Sequence, residues 1–252
     1  MESALNTLII TQARTGSTRL PNKVLLQIKG EELLITHLER LKKCKLNDKL
    51  IVATTSKKAD DLIISLCDKI KVDTYRGSEH DVLDRFYQAS VNYQPKWVVR
   101  VTSDCPLIDP DLVDAVIAFA QTQDLDYFSN GIVENFPDGQ DVEVFKFSAL
   151  EKAWKCAILK SEREHVTSYI RNNSNVKGGE IFQAMNFPCY SNLGYIRMTV
   201  DEKKDFELIE KLIHDLGKDK TWKEYTHYII ENKLNNNNIL RNEGYLKSVK
   251  ND

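Results

Sequence analysis

Thr7-Leu-Ile-Ile-Thr-Gln12 runs directly into Ala13-Arg-Thr-Gly-Ser-Thr-Arg-Leu-Pro-Asn-Lys23. The first six residues are apolar or β-branched with little alternation, which predicts a strand buried on both faces, as in a parallel sheet covered by helices. The loop behind it carries Arg14, Arg19 and Lys23 with Gly16, Ser17 and Thr18 among them. In an open α/β sheet, ligands sit at the carboxyl ends of strands, where a glycine lets backbone N–H groups approach phosphate oxygens. Arginines grip such oxygens in bidentate fashion, and a lysine adds a point charge. The segment is neither the Walker pattern G-x-x-x-x-G-K-[ST] nor the dinucleotide pattern G-x-G-x-x-G. Its alternative reading is a solvated basic loop, and its place behind a buried strand favours a phosphate site.

Working outward, Lys49–Thr54 and Trp97–Thr102 read as further buried strands. Helices are predicted at Leu33–Lys43, Asp60–Ile70, Asp81–Asn92 and Pro110–Gln121, the last with proline in its first turn. Beyond Asp124 the order is irregular. Asp141–Phe147 alternates like an edge strand, with Asp141 and Glu143 opposite Val142 and Val144. Ser161–Asn172 reads as a helix capped by Ser161 with Glu164 three residues on, Gly194–Asp201 as a strand, and Lys203–Leu216 as a helix. The expected fold is α/β, a single domain with a mixed, mostly parallel sheet flanked by helices and a smaller irregular α+β region. The domain is expected to span 1–232, and the asparagine-rich end, 233–252, reads as mobile from composition.

Composition narrows the function classes. Lysine and arginine total 35 against 37 acidic residues, so the net charge of −2 offers no global attraction to nucleic acid or to an anionic membrane. The five cysteines (Cys44, Cys67, Cys105, Cys156, Cys189) never form a Cys-x-x-Cys pair, which argues against zinc and a disulfide framework. No apolar run reaches the roughly 20 residues of a membrane span, and the opening lacks a signal-peptide pattern. A cytoplasmic location is expected.

ARTGSTRLPNK followed by ITHLERL resembles the signature of the sugar-acid cytidylyltransferases, such as the 3-deoxy-manno-octulosonate and acylneuraminate enzymes. The chain is more similar to the spore coat polysaccharide biosynthesis protein F-like branch, through DVLDRFYQAS, RVTSDCPLIDP, PDGQDVEVF, REHVTSYI, IRMTVDEKKDFELI and RNEGYLKS. The resemblance implies a nucleotidyltransferase sheet of GT-A-like Rossmann type, CTP as substrate, Mg2+ as cofactor, a homodimer and an ordered tail. It also implies a nucleotide half of about 1–124 and an acceptor and dimerisation region of about 125–200.

Site residues follow from both arguments. Arg14, Arg19, Lys23 and Asp104 are the expected catalytic set. Asp104 and Asp201 each end a predicted strand, and the family holds its metal at matching aspartates; capping of the next turn or helix is the alternative role. Nucleotide contacts are expected from Ala13, Arg14, Gly16, Ser17, Thr18, Arg19, Lys23 and Thr102. Gly77, Ser78 and Arg85 match the segment where the family receives the pyrimidine, with a helix-surface ion pair to Asp81 or Asp84 as the alternative for Arg85. Acceptor contacts are expected from Asp138, Gln140, Asp141, Glu143, Arg163, Glu164 and His165. The expected reaction is in-line attack by an acceptor oxygen on the α-phosphorus of CTP. A nucleotide-sugar glycosyltransferase and a catalytically inactive nucleotide-binding protein are the competing classes. The only Asp-x-Asp spacings, Asp109/Asp111 and Asp124/Asp126, flank the wrong elements for the former.

Overall fold

β1 (Thr7–Gln12) begins the sheet in the computed structural model, which describes residues 5–235, 241 and 249–250. The chain then forms β2 (Gln27–Ile28), β3 (Glu31–Glu32), α1 (Leu33–Leu41), β4 (Lys49–Thr55), α2 (Asp61–Lys69), β5 (Asp73–Gly77), α3 (Val82–Val91), β6 (Trp97–Thr102) and α4 (Pro110–Gln121). After these come β7 (Tyr127–Ser129), β8 (Glu143–Lys146), α5 (Phe147–Cys156), α6 (Lys160–Glu164), α7 (Ser168–Asn172), β9 (Ala184–Asn186), α8 (Lys203–Leu216) and α9 (Trp222–Glu231).

Seven strands make one sheet in the order β5-β4-β1-β6-β8-β7-β9. β5, β4, β1 and β6 are parallel, and only β8 runs against its neighbours. From β1 the chain steps outward to β4 and β5, then returns to place β6 on the other side of β1. Strand order therefore reverses between β1 and β6, the position where open α/β sheets form a crevice at the strand ends. Gln12 pairs with Thr102 there, so the loops that follow β1 and β6 leave the sheet side by side.

Alternation along the strands fills both faces. Ile9, Val52, Val99 and Val101 pack with Leu34 and Leu38 of α1, Ile63 of α2 and Val113 and Val116 of α4. Leu8, Ile10, Ile51 and Val98 pack on the opposite face with Leu83 and Phe86 of α3 and Leu150 of α5. A third cluster joins Leu107, Ile196, Met198 and Val200 to Ile209 of α8 and Tyr225 of α9. No helix among the described residues is long and apolar enough to cross a membrane.

The second half departs from the sequence reading. The helix expected over Ser161–Asn172 is two short helices, broken at 165–167 where Val166 takes a φ of 51°. Its N-terminus is closed by Glu162, which accepts the Leu159 N–H at 3.3 Å, and not by Ser161, which is buried. Gly194–Asp201 starts with a turn at 194–195 and joins no ladder of the sheet; among the described residues it bridges at Arg197 to Asp138. β5, β7, β9, α5 and α9 were not expected. Phe147 begins α5 where the alternation of DVEVFKF reads on as strand. α9 is rich in aromatic and β-branched residues, and its signal is the Thr221 cap, reciprocated by Glu224. The expectations for 233–252 fall mostly outside the described residues; Arg241 is described and is placed below.

His37 of α1 ties β1 to the loop behind β6. Its Nε2 lies 3.0 Å from Thr11 Oγ1, and its Nδ1 lies 2.9 Å from the Cys105 carbonyl. The carbonyl fixes Nδ1 as the donor and Nε2 as the acceptor, a neutral ring with both nitrogens satisfied. Burial pushes its pKa from 6.5 down to about 4. Between those values the unfolded chain binds a proton that the fold does not, so stability falls as pH drops through this window, by about 3 kcal/mol in all. His37→Gln is expected to be less stable than the parent at pH 7, and the gap should narrow as pH falls to 4. Urea unfolding of both proteins across this range tests it; a constant gap would contradict the assignment.

Candidate active site

The loop after β1 is fixed by a buried carboxylate. Asp60, at the start of α2, accepts the Thr15 N–H at 2.8 Å and its hydroxyl at 2.7 Å, and also the Thr55 hydroxyl. Burial opposes ionisation of Asp60, but these hydrogen bonds outweigh it and hold the carboxyl below its usual range. Asn22, at a φ of 56°, then turns the chain into the single turn Lys23–Leu25, in a conformation that asparagine tolerates.

The turn aims Lys23 at the end of β6. Its Nζ lies 2.8 Å from Asp104 Oδ2 and 2.9 Å from Asp201 Oδ1. Arg19 reaches the same Asp201 oxygen at 2.8 Å, and Arg197 donates to Asp201 Oδ2 at 2.9 Å. Burial disfavours charge on Lys23, but the two carboxylates hold its pKa above the usual lysine value. Burial likewise opposes the charge on Asp104, and the Lys23 ammonium overrides it, keeping the carboxyl well below the usual range.

Two adjoining pockets of about 500 Å³ each meet at this cluster. Both are lined by Arg19, Thr102, Asp104, His165 and Asp201. The first continues over Ala13, Arg14, Ser17, Thr18 and Lys23 to Arg85. Arg85 is 2% exposed, so it makes no helix-surface ion pair; its Nη1 donates to the Ser78 carbonyl at 2.8 Å, and its Nε has no hydrogen-bond partner among the described residues. Burial and the charge of Arg14 push its pKa down to about 10. Arg14 itself lies 3.5 Å from Glu79.

The second pocket is walled by β8 and by the extended segment before Asp201. Val142 and Val144 enter the core while Asp141 and Glu143 face the pocket. Glu143 is held by Arg100, by the Tyr127 hydroxyl at 2.5 Å and by the Thr167 hydroxyl at 2.6 Å. Arg197, 6% exposed, donates from Nη1 to Asp138 at 2.5 Å and from Nε to Asp205 at 2.9 Å, besides holding Asp201. Arg241 donates to Asp141 and, at 2.8 Å, to the Phe136 carbonyl. Burial and the neighbouring Asp141 push Asp138 up to about 6. Gly139 has a φ of 102°, and a Cβ there would lie 2.6 Å from the Met198 backbone, so this close approach of Asp138 to the Arg197 segment requires glycine.

The family profile described as cytidylyltransferase matches residues 8–246. The chain belongs to the cytidylyltransferase family. Among its relatives, this cytidylyltransferase is 47% identical over 203 residues to an uncharacterized protein of Methanocaldococcus jannaschii, covering 81% of each chain. It is 35% identical to the spore coat polysaccharide biosynthesis protein SpsF of Bacillus subtilis, covering 83% of this chain and 87% of that one. A solved cytidylyltransferase from Leptospira borgpetersenii superposes with a TM-score of 0.84 at 29% identity, covering 94% of this chain and 99% of the other.

Several expected site residues have other work in the cytidylyltransferase. Gln140 is fully buried and links the Asp109 N–H to the Leu107 carbonyl at 3.0 and 2.9 Å, away from either pocket. Arg163 grips Asp81, the N-cap of α3, at 2.5 to 3.0 Å and lines neither pocket. Gly77 makes room for Arg85, whose Cγ would be 3.1 Å from a Cβ there, and the Ser78 hydroxyl accepts the Asp81 N–H at 3.1 Å. Neither these two nor Gly16 lines the first pocket, and Glu164 lines that pocket instead of the second. Asp60, Arg100, Arg197 and Arg241 were missed. Arg197 was legible only as part of IRMTVD, four residues before Asp201.

Asp60→Ala leaves the Thr15 N–H and two hydroxyls without their acceptor, an expected loss of about 3 kcal/mol. Urea unfolding checks it, and a stability equal to that of the parent would remove Asp60 as the anchor of the loop.

Proposed function

We propose that this protein is a magnesium-dependent cytidylyltransferase that joins the CMP part of CTP to an acidic sugar or related acceptor and releases pyrophosphate. The observation that carries the reading is the row of residues shared by the two pockets, with Arg19, Asp104 and Asp201 where strand order reverses. The first pocket suits the nucleotide. Its cations Arg14, Arg19 and Lys23 face a triphosphate, and Arg85, whose buried Nε has no partner among the described residues, lines the same pocket beside them and offers its guanidinium to the base. Asp104 and Asp201 present hard oxygen donors, and Mg2+ needs only one or two carboxylates besides phosphate and water, so the donor set fits. When bound, the metal neutralises charge on the phosphates.

The second pocket suits the acceptor. Arg100, Arg171 and Arg241 beside Asp138 and Asp141 offer donors to a carboxylate and acceptors to hydroxyls. An acceptor oxygen entering from this side forms a bond to the α-phosphorus, the bond from that phosphorus to the bridging oxygen breaks, and its electron pair leaves with pyrophosphate. A hydroxyl acceptor gives its proton to Asp138 or Asp141, whereas an ionised phosphate oxygen has none to give. Arg19 and Lys23 stabilise the charge that develops on the leaving group. A hydroxyl acceptor gives a CMP-linked product and a phosphate acceptor a CDP-linked one.

The glycosyltransferase reading loses its metal motif. Asp109 caps α4 and accepts the Trp222 N–H, while Asp124 and Asp126 pair with Lys146 and with the Gln183 N–H. We place the protein in the cytoplasm, in surface polysaccharide or glycoconjugate biosynthesis, the process for which the Bacillus relative is named. We also propose a homodimer paired through the region 125–200, where Val133, Met185, Tyr190 and Tyr195 expose apolar surface. Light scattering at working concentration is expected to give the mass of two chains; a monomer contradicts the pairing.

With CTP, Mg2+ and a panel of sugar acids, sugar phosphates and small acids, pyrophosphate release is expected from at least one acceptor. Arg19→Ala, Lys23→Ala and Asp104→Asn should each lower kcat by about 10²-fold or more. Arg163→Ala should leave the KM for CTP unchanged. Near-normal turnover in the first three variants, with melting curves showing them folded, would move the active site elsewhere.

A further inference from the structure

Lys23 stands where the two carboxylates converge. Its ammonium bonds Asp104 Oδ2 and Asp201 Oδ1 at the same time, and its side chain is only 14% exposed. Asp201 Oδ1 also takes Arg19, and Asp201 Oδ2 takes Arg197. The pair thus has its positive charge from within the protein. Among the described residues, no cluster of three or more His, Cys, Asp or Glu side chains is placed to hold a metal.

Magnesium needs its oxygens at about 2.0–2.1 Å. An ammonium within hydrogen-bonding distance of both carboxylates fills the space between them, and its charge repels a dication. Two of the three cations on the pair, Arg19 and Lys23, belong to the loop that faces the triphosphate under the reading above, on which this inference rests. A triphosphate competes with the carboxylates for these cations.

We propose that Lys23 is the resident counter-ion of the Asp104–Asp201 pair and excludes a divalent cation from it until a nucleoside triphosphate draws the ammonium away. Lys23 then has two positions in the cycle. It balances the aspartates in the empty protein and the phosphates in the loaded one. Metal and nucleotide affinity are coupled through this one side chain, and the coupling is reciprocal.

The test uses the full chain and Mn2+ alone, without nucleotide, with free Mn2+ read by electron paramagnetic resonance. The parent is expected to bind weakly. Lys23→Gln should bind about tenfold or more tightly, and Lys23→Gln/Asp104→Asn should return to the parent's weak binding. Lys23→Met, which keeps the buried stem, serves the same purpose if the glutamine variant does not fold. Thermal unfolding gives a second readout: Mn2+ should raise the Tm of the Lys23 variant and leave that of the parent unchanged. Equal Mn2+ affinity in parent and Lys23 variant, or a gain that survives Asp104→Asn, overturns the proposal. CTP binding to the parent, measured separately by calorimetry, tests the functional reading: its absence together with a gain of Mn2+ binding would refute that reading and leave the role of Lys23 standing.

Discussion

One ammonium, that of Lys23, joins three stretches of chain lying 81 and 178 residues apart in sequence. The loop after β1, the end of β6 and the segment before α8 meet on it. None of these stretches could bring the others together alone. The parallel pairing of β1 with β6 sets two of them side by side, and the packing of Ile196, Met198 and Val200 under α8 and α9 brings in the third. Backbone bonds reinforce the meeting, since the Val200 N–H donates to the Asp104 carbonyl at 2.7 Å.

Burying this many charges is costly unless each is paired, and the cluster meets that requirement with shared partners. Asp201 answers to Lys23, Arg19 and Arg197, while Arg197 answers to Asp138, Asp201 and Asp205. Asp205 also accepts the N–H groups of Asp201 and Glu202 at 2.9 Å, which starts α8 directly behind the site. Asp201, expected either to cap a helix or to serve the site, leaves the cap to Glu202 with Asp205 and lines both pockets. On the proposal above, a ligand that draws Lys23 away takes the cation from Asp104, while Asp201 still holds Arg197.

What could be read from the sequence follows from how local its causes are. β1, β4 and β6 were legible because strands buried on both faces are continuous apolar runs, and the basic loop that lines the first pocket because its residues are contiguous. α1 and α2 were legible from their periodicity, and α4 from the proline in its first turn. The second half was not, because its elements are short and its contacts are long-range. Val166 in a left-handed conformation splits a segment that reads as one helix, and nothing in REHVTSYI signals the break. Gln140 and Arg163 sat in motifs that suggested ligand contacts, yet each satisfies buried or capping groups from another part of the chain. Arg241 lies in a stretch whose composition reads as mobile, and its partner Asp141 is 100 residues away.

On the function proposed here, the loop after β1 receives the phosphates of CTP, and its cations leave the aspartates to do so. A crystal structure of the protein with CTP and Mg2+ tests this most directly. The triphosphate is expected along Arg14–Lys23, the base beside Arg85, and the Lys23 ammonium turned from Asp104 and Asp201 to a phosphate oxygen. A triphosphate bound elsewhere, or one bound here with Lys23 still bridging both aspartates, would contradict it.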